Sequence, residues 1–590
     1  FFKQKTAYEI TYGDWSSDVC SSDLVRPLPP TPHRPATDAA ASNHTGISRG
    51  ARWRAATKPA TVSLSPGAGR RTIQRGIYLV TTIADILPQA ARKHGDRVAL
   101  IINGNRWSFR ELDMLSNRVA NGLVESGVEP GDRVGLFGPN CWEWLVSYYG
   151  IAKAGAVVNP LSSMLTADEV QYAVTDTAAR AVIASPDKAQ VLQDVKAGGA
   201  RFELVVWDEA PVAGATLLRQ WLADASPEFV ARPRLPSDLA AICYTSGTTG
   251  RPKGAMQSQR AVVGAGVGTA LMAARTAEDR VISALPLFHV YGSCVMNAAM
   301  MVGSTLIVIP RFNEVVVLGA IAEHRATIMD GVPTAYYYLL AHPDFDRYDL
   351  SSLTRCWVGG QTLPAAKSEE FTRRTGCPVH EVWGMTELAG ATSANPAYGP
   401  NKPGTIGVPY PGNAFRVVDV EDPAKDMPPG ERGELMYRGP LVMMGYYNNP
   451  LATAETIRPD GWLHTGDIAI MDDDGFATIV DRKKDMILTA GFNVYPAEIE
   501  RVLCMHPAVA LAAVGSVPDE AKGELAKAYV MRKPGAEVSR AALVAHCREH
   551  LAAYKVPRGI QFVESVPMTS SGKIMRRLLR DVDDGSLSIE

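Results

Sequence analysis

The sequence predicts an α/β protein with a large N-terminal domain of several subdomains and a small, mobile C-terminal domain of α+β type. Three observations lead to this prediction. The chain has 590 residues, far more than one compact core usually holds. Signals for helices and strands alternate from about residue 78 onwards, and the texture of the sequence changes near residues 411 and 486.

Alternating strands and helices open the large domain. Ser108 and Glu111 form a capping-box pattern, and apolar residues at helical spacing follow them. The run VGLFG then predicts a strand, a helix is expected over 142–154, and AVVNPL predicts the next strand. Thr166 and Glu169 begin another helix in the same way, before the strand ARAVIA. Repeated strand–helix–strand units predict two largely parallel sheets with helices on their faces.

The later part of the sequence has a different pattern. Hairpin-like strands such as FRVVDV and GELMYRG alternate with Gly- and Pro-rich turns up to about residue 481, which predicts a small β-barrel-like part. Beyond the charged segment 482–485 the signals run helix, strand, strand, helix. We therefore assign 78–481 to the large domain, 482–485 to a hinge and 486–590 to the small domain.

The first 77 residues are expected to lie outside this fold. Residues 14–24, DWSSDVCSSDL, resemble the conceptual translation of a sequencing-adapter oligonucleotide, so 1–24 are excluded from the fold. Residues 25–77 are poor in large apolar side chains, and we expect a disordered leader there. The first methionine is Met114, within organised sequence, so we expect the native chain to begin at a non-methionine residue near Val80.

Charge and cysteine content argue against several classes of function. The chain carries 60 basic and 62 acidic residues, a balance that argues against a nucleic-acid partner. No apolar run approaches the roughly 20 residues that a transmembrane helix needs. The eight cysteines are scattered, and several lie in apolar runs. We therefore expect reduced thiols and a cytoplasmic location.

The most informative segment is YTSGTTGRPKG at 244–254, directly after the apolar run LAAIC. Its glycines let the backbone fold tightly, so that several N–H groups can converge on an anion. Hydroxyl groups add donors, and a lysine adds positive charge for a polyphosphate. The residue order differs from that of a Walker A loop. The predicted phosphate-binding residues are Thr245, Ser246, Gly247, Thr248, Thr249, Gly250 and Lys253.

TSGTTGRPKG resembles the signature loop of the adenylate-forming superfamily, which includes acyl-CoA synthetases, luciferases and peptide-synthetase adenylation domains. The resemblance extends from about residue 80 to the C-terminus, with further motifs in the family's order. It implies that the loop holds the β- and γ-phosphates of ATP while a substrate carboxylate attacks the α-phosphorus. The implied substrates and cofactors are a small-molecule acid, ATP, Mg²⁺ and coenzyme A, and a homodimer stays open.

Further motifs carry the nucleotide contacts that the resemblance implies. VGGQ at 358–361 and EVWGMTE at 381–387 resemble the segments beside adenine and the α-phosphate, with Glu387 on the magnesium ion. GWLHTGD at 461–467 resembles the ribose motif. Trp383 stands where tyrosine is common, and Gln361 where many relatives have a small residue. The implied nucleotide residues are Gly359, Gly360, Gln361, Glu381, Val382, Trp383, Gly384, Met385, Thr386, Asp467, Arg482 and Lys573.

Two more strings carry the implied catalytic residues. LPLFHVYG at 285–292 resembles the segment beside the acyl pocket, and His289 is placed in the lining of that pocket. PMTSSGKIMR at 567–576 resembles the C-terminal catalytic motif. Its Lys573 would contact both the carboxylate and the α-phosphate, where a fixed cation stabilises the transition state. The predicted catalytic residues are Lys573, Thr245, Glu387 and His289.

The resemblance also implies a second half-reaction, in which a thiol attacks the adenylate and AMP leaves. The small domain would rotate about Lys484 and present TAGFNV, in which Gly491 and Phe492 border the pantetheine arm. The strings look most like bacterial fatty-acid CoA ligases, so we favour a medium- or long-chain fatty acid. An aryl-CoA ligase, an adenylation domain that loads a carrier protein, and a luciferase-like oxidase stay open as alternatives.

Overall fold

The structure of the protein is a computed structural model, which describes residues 80–207, 211–245, 252–489, 492–519, 522–569 and 574–585. The predicted disordered leader and the predicted start near Val80 therefore concern residues that lie almost entirely outside the described part. Within that part the chain folds as the predicted α/β protein. A large domain of mixed sheets comes first, and a smaller domain follows it.

The secondary-structure elements follow in chain order. The helices of the large domain are α1 (Ile86–His94), α2 (Phe109–Glu125), α3 (Trp142–Lys153), α4 (Ala167–Asp176), α5 (Ala189–Ala197), α6 (Leu218–Asp224), α7 (Gln259–Met272), α8 (Val290–Val302), α9 (Glu314–His324), α10 (Pro333–Ala341), α11 (Ala365–Thr375) and α12 (Pro450–Thr456). Its strands are β1 (Val98–Ile102), β2 (Asn105–Ser108), β3 (Arg133–Phe137), β4 (Val157–Leu161), β5 (Ala181–Ala184), β6 (Glu203–Val206), β7 (Thr216–Leu217), β8 (Leu239–Thr245), β9 (Lys253–Ser258), β10 (Arg280–Ser283), β11 (Thr305–Val308), β12 (Ile328–Gly331), β13 (Arg355–Gly359), β14 (Val379–Met385), β15 (Gly390–Ala394), β16 (Val408–Pro409), β17 (Ala414–Val418), β18 (Arg432–Arg438), β19 (Gly445–Tyr446), β20 (Leu463–Met471) and β21 (Ala477–Arg482). The small domain contains β22 (Ile487–Thr489), β23 (Phe492–Val494), α13 (Pro496–Met505), β24 (Val509–Asp519), β25 (Gly523–Arg532), α14 (Arg540–His550) and β26 (Gly559–Phe562).

Local sequence signals set several of these elements. The N–H of Glu111 donates to the hydroxyl of Ser108 at 3.2 Å, and a carboxylate oxygen of Glu111 accepts from the N–H of Ser108 at 2.8 Å. Thr166 and Glu169 form the same reciprocal pair at the start of α4. The predicted capping boxes are therefore confirmed, and each satisfies backbone donors that a helix end leaves unpaired.

The first sheet has the strand order β16-β15-β14-β13-β12-β10-β11-β1-β2. The six central strands, β14, β13, β12, β10, β11 and β1, run parallel to one another. Strand β2 at one edge, and β15 and β16 at the other, pair antiparallel with their neighbours. The C-terminal ends of β10, β12, β13 and β14 therefore lie along one edge of the sheet. Open parallel sheets commonly bind their ligands at this edge.

The second sheet has the order β19-β9-β8-β4-β3-β5-β6-β7. Its strands from β8 to β7 are parallel, and β9 and β19 are antiparallel to their neighbours. The prediction of largely parallel sheets is confirmed for the central strands of both sheets. A hairpin such as β8–β9 connects two consecutive strands directly, so these strands are antiparallel. Parallel strands would need a longer crossover connection.

The remaining strands form two further antiparallel arrangements. Strands β17, β18, β20 and β21 make the small β part that the hairpin signals predicted. In the small domain β23, β22, β25 and β24 pair antiparallel, and β26 joins β25 in parallel. The predicted hinge segment coincides with a single 3₁₀ turn, Lys483–Asp485, between the two.

Glycines hold the end of β14 close to its neighbours. A Cβ atom at Gly384 would lie 1.7 Å from the carbonyl oxygen of Gly390, which is a backbone atom and cannot yield easily. One at Gly359, on β13, would lie 2.7 Å from Cγ1 of Val382. These glycines therefore fix the spacing between the strand ends that carry the VGGQ and EVWGMTE strings.

We predict that Gly384→Ala lowers the free energy of unfolding by about 3 kcal/mol or more, because the overlap is with backbone. The midpoint of urea unfolding, followed by circular dichroism, measures this. Gly319→Ala is the matched control, since a Cβ atom there meets no atom within 4 Å on α9. The control should gain up to about 1 kcal/mol from helix propensity. Equal midpoints for the two variants would contradict the packing argument.

Candidate active site

The predicted phosphate loop begins and ends on paired strands. Thr245 at the end of β8 is opposite Lys253 at the start of β9, and the Thr245 hydroxyl lies 3.4 Å from the Lys253 carbonyl oxygen. The two residues that flank the predicted loop are therefore adjacent, on paired antiparallel strands. The predicted loop residues Ser246, Gly247, Thr248, Thr249 and Gly250 lie outside the described residues.

A tyrosine connects this hairpin to the predicted magnesium ligand. The hydroxyl of Tyr446, on β19, donates to Oε1 of Glu387 at 2.7 Å. Nζ of Lys253 lies 5.2 Å from the centre of the Tyr446 ring. Burial, and then the charge of Glu387, raise the pKa of Tyr446 well above its ordinary value, so this hydroxyl stays protonated and keeps donating. Tyr446 thereby orients the Glu387 carboxylate beside the base of the loop.

The residue before Glu387 is fixed from the second sheet as well. Nε2 of Gln257, on β9, donates to the carbonyl oxygen of Thr386 at 2.9 Å. The N–H of Met443 donates to the carbonyl oxygen of Glu387 at 2.8 Å. Both backbone carbonyls are thus held, so the side chains of Thr386 and Glu387 start from a fixed main chain.

The predicted ribose residues meet on neighbouring strands. Asp467 on β20 is opposite Arg482 on β21, and Oδ1 of Asp467 lies 3.6 Å from Nε of Arg482. The indole N–H of Trp383 donates to Oδ2 of Asp467 at 2.8 Å. Trp383, Asp467 and Arg482 are therefore brought together, although they come from different sheets.

The glycine-rich strings are adjacent too. Gly359, at the end of β13, is opposite Val382 on β14, and Gly360 has φ +92°, a conformation that favours glycine. Gln361 follows and is half-buried, as are Gly384 and Met385. The strings VGGQ and EVWGMTE thus begin side by side, at the C-terminal edge of the parallel strands.

Glu381 faces a different environment from these residues. Its side chain is buried, and Oε1 accepts from the N–H of Gly404 at 2.8 Å. Burial raises the pKa of Glu381 to about 8, against the opposing effect of that N–H. The carboxyl is therefore largely protonated at neutral pH. Its assignment to the nucleotide stays a prediction.

His289 caps α8. Its Nδ1 accepts from the N–H of Tyr291 at 3.2 Å, so the proton of the neutral ring lies on Nε2. The side chain is half-buried, three residues after Pro286, which lines the cavity described next. His289 itself is not among the described residues that line this cavity, so its place in the acyl pocket stays a prediction.

A cavity of about 200 Å³ opens beside the nucleotide residues, at the C-terminal ends of β10 and β12. Its walls include Phe312, Val317, Met329, Val332 and Tyr338 from the large domain, and Met568 and Thr569 from the small domain.

Asp330 also borders this cavity. Nη2 of Arg275 donates to Oδ2 of Asp330 at 2.6 Å, and both side chains are buried. Among the described lining residues Asp330 is the one with a carboxylate, and it is already paired, so these residues present a largely apolar surface.

Two segments of the sequence match families of known proteins. The AMP-binding enzyme family matches residues 87–447, and the AMP-binding enzyme C-terminal domain matches residues 498–573. The first match alone spans more than half of the chain.

The chain belongs to the AMP-binding enzyme family.

Relatives within the family agree in length and fold. Long-chain-fatty-acid–CoA ligase of Bacillus subtilis is 34% identical, over 84% of this chain and 94% of its own. Feruloyl-CoA synthase of an Amycolatopsis species is 37% identical, over 83% and 96%. The crystal structure of an anthranilate CoA ligase in complex with anthranoyl-AMP has a TM-score of 0.80 and 30% identity, covering 87% of this chain and 99% of its own.

As a member of this AMP-binding enzyme family, the protein is an acyl-CoA synthetase. It uses ATP to activate a carboxylic acid as an acyl-adenylate, and it transfers the acyl group to CoA. In the described part of the chain, no helix has the length and apolar character to cross a membrane.

In this AMP-binding enzyme the segment of the predicted catalytic lysine is anchored on both sides. Met568 and Ile574 form a β-bridge, and the N–H of Met575 donates to the carbonyl oxygen of Pro567 at 2.8 Å. Lys573 lies outside the described residues.

Arg576 links the segment after the predicted catalytic lysine to the predicted hinge, and no sequence pattern pointed to this role. Nη2 of Arg576 donates to Oε2 of Glu500 at 2.7 Å, and Nη1 donates to Oδ2 of Asp485 at 3.0 Å. Nη1 also lies 3.8 Å from Oδ1 of Asp481, at the last strand of the large domain. One guanidinium therefore contacts carboxylates on both sides of the hinge.

Asp481 is held from the small domain by a second contact. Its Oδ2 accepts from the N–H of Ala497, in the first turn of α13, at 2.7 Å. Burial raises the pKa of Asp481 to about 6, although Arg576 opposes this. The exposed Lys484, the predicted hinge residue, lies between Asp481 and Asp485 in the 3₁₀ turn.

The predicted CoA segment is only partly described. Gly491 lies outside the described residues. Phe492 is 54% exposed and stacks on Tyr554, with ring centroids 4.7 Å apart and planes at 26°. This pair forms an exposed aromatic surface on the small domain, and no sequence pattern pointed to Tyr554.

The titration of Glu381 gives a test. The native state holds its proton between the ordinary pKa of 4.5 and the raised value of about 8, whereas the unfolded state does not. The free energy of unfolding therefore falls as pH rises through this window, by at most about 1.4 kcal/mol per pH unit from this group.

We predict that Glu381→Gln removes this component. The midpoints of urea unfolding at pH 6, 7, 8 and 9 measure this component. As the pH rises, the wild type should lose stability relative to the variant, and the difference in stability should level off above about pH 8. Because the other titrating groups are the same in both proteins, their contributions to the pH dependence cancel in this difference. Parallel pH profiles for the two proteins would refute the argument.

Proposed function

We propose that the acid is a medium-chain fatty acid and that the cavity at the ends of β10 and β12 holds its chain. The observation that supports this is the apolar cavity of about 200 Å³ at the same sheet edge as the nucleotide residues. An apolar cavity of about 150 Å³ holds one benzene molecule, which has about six carbon atoms. In the same proportion, a cavity of about 200 Å³ has room for about eight carbon atoms.

An aryl acid is the second candidate. A single aromatic ring fits the same volume, and Phe312 and Tyr338 offer aromatic neighbours. The feruloyl-CoA synthase and the anthranilate CoA ligase above are named for aromatic acids. The pairing of Asp330 with Arg275 disfavours an acid with a second charge in the chain.

In the first half-reaction the carboxylate attacks the α-phosphorus and pyrophosphate leaves. We assign the triphosphate to the loop between Thr245 and Lys253, and the ribose hydroxyls to Asp467 and Arg482. The indole of Trp383 supplies an aromatic face for adenine while its N–H holds Asp467. Lys573 would then offset the repulsion between the two reacting anions.

A magnesium ion fits the donors at Glu387. The carboxylate offers hard oxygen ligands, which Mg²⁺ prefers together with phosphate and water. When bound, the ion would neutralise phosphate charge. The protein's contribution is orientation, since Tyr446 holds one carboxylate oxygen and Gln257 holds the backbone of Thr386.

In the second half-reaction the CoA thiol attacks the acyl carbonyl and AMP leaves. We propose that the small domain rotates about Lys484 and presents Gly491 and Phe492 to the pantetheine arm. The exposed stack of Phe492 on Tyr554 supplies an apolar surface there. We also propose a cytoplasmic location, which the free thiols of the cysteines in the described residues support.

A panel of acids tests the proposed substrate. CoA consumption with straight-chain acids from acetate to palmitate, and with benzoates, should give the highest kcat/KM near octanoate, because longer chains exceed the cavity. Each methylene group that the cavity buries contributes about 0.8 kcal/mol, or up to about fourfold in kcat/KM. A maximum at palmitate would contradict the proposal, and one at a benzoate would favour the aryl candidate.

A cavity-filling variant sharpens this test. Val317 is 3% exposed and lines the cavity, whereas Val315 on the same helix is 49% exposed. Val317→Phe should shift the optimum to a shorter acid, and Val315→Phe should leave it unchanged. An unchanged optimum in both variants would place the acyl chain elsewhere.

The role of Lys573 predicts a split between the half-reactions. Lys573→Ala should slow acid-dependent pyrophosphate release by at least about a hundredfold, because a preorganised charge is lost. Thioester formation from preformed acyl-adenylate should continue near the wild-type rate. Equal loss in both assays would defeat the assignment.

Arg576 is expected to position the lysine segment in the first half-reaction. Arg576→Met should slow pyrophosphate release by about tenfold to a hundredfold, since small misplacements of a catalytic group are costly. Thioester formation from preformed adenylate should change less. Arg577→Met is the matched control, because this neighbouring side chain is exposed. If both variants behave alike, the contact with the hinge has no such role.

A further inference from the structure

Two histidines and a glutamate meet on α14 of the small domain. His546, Glu549 and His550 stand at positions i, i+3 and i+4, which share one face of a helix. Candidate ligand atoms of the three lie within 4.8 Å of one another. The two imidazole rings have centroids 4.8 Å apart. His546 is half-buried, and the other two side chains are exposed.

The ring of His546 is oriented by the neighbouring helix. Its Nε2 lies 3.0 Å from the carbonyl oxygen of Val502 on α13. Because a carbonyl can only accept, Nε2 carries the proton, and Nδ1 keeps its lone pair. Metal-bound histidines show this same division, in which one nitrogen binds the ion and the other donates to a backbone carbonyl.

A third histidine lies nearby but is oriented differently. His506 contacts His546 with ring centroids 5.4 Å apart. Its Nδ1 accepts from the N–H of Ala508 at 3.2 Å, so the proton of the neutral ring lies on Nε2. His506 therefore has no lone pair to offer in this tautomer, and it serves as an internal control.

We propose that His546, Glu549 and His550 bind a divalent transition-metal ion of the Zn²⁺ class. Imidazole nitrogens with one carboxylate oxygen suit Zn²⁺, whereas Mg²⁺ prefers oxygen ligands alone. Three protein ligands leave a further position for water. The bound ion links successive turns at the C-terminal end of α14, and by mass action it stabilises the folded small domain.

Isothermal titration of the full, tag-free chain with ZnCl₂ tests the site. We expect saturable binding of one ion that His546→Ala and His550→Ala each weaken by at least about tenfold. Glu549→Gln, an isosteric change at an exposed position, should weaken it as well. His506→Asn should leave the affinity within about twofold, and MgCl₂ should not compete.

Either of two results would overturn the site. One is equal Zn²⁺ affinity in the wild type and in the double variant His546→Ala/His550→Ala. The other is a loss in His506→Asn as large as that in His550→Ala. Circular dichroism shows that each variant is folded, and the absorption bands of Co²⁺ in place of Zn²⁺ report the ligand set independently.

Discussion

The end of β14 is the constraint on which the rest of the active site depends. Its backbone lies against Gly390 so closely that Gly384 admits no side chain. From this one strand end, Trp383 reaches Asp467 in the small β part, while Thr386 and Glu387 meet Gln257 and Tyr446 of the second sheet. Three sheets thus meet at a segment of five residues, and a shift of that segment would disturb the residues to which the nucleotide, phosphate and magnesium contacts are assigned.

Burial divides the carboxyl groups around this segment into two kinds. Glu387 and Asp467 are buried, yet each accepts a hydrogen bond from a side chain aimed at it. Among the described residues the Glu381 side chain accepts a single hydrogen bond, from a backbone N–H, and its pKa rises to about 8. A buried carboxylate without a strong donor or a cation is costly to keep charged. The site therefore keeps charge where polar partners support it, and the Glu381 carboxyl is largely neutral at neutral pH.

Much of this architecture follows from local sequence signals, and the parts that do not are tertiary. The capping boxes at Ser108 and Thr166 depend on residues three positions apart, which a sequence displays directly. Tyr446 lies 59 residues from Glu387, and Arg576 lies 91 residues from Asp485. Neither pair has a local pattern, so only the folded chain reveals them.

Family resemblance predicted positions better than it predicted contacts. It identified Trp383 as a replacement for tyrosine and assigned it to adenine. It did not predict that the indole N–H would donate to Asp467, because the partner is set by how β14 meets β20. The assignments for Ser246, Gly491 and Lys573 remain sequence predictions, since these residues lie outside the described part of the chain.

The cavity and the nucleotide residues occupy different strand ends, and this has a consequence for how such proteins diversify. The cavity proposed for the acyl chain follows β10 and β12, whereas adenine, ribose and phosphate are assigned to residues of β13, β14 and the other sheets. Substitutions after β12 can therefore remodel the acid pocket while the activation machinery keeps its register. Gene duplicates could exchange one acid for another in small steps, each retaining a working adenylation centre. The same separation suits directed evolution, in which a library confined to the walls would leave the shared chemistry intact.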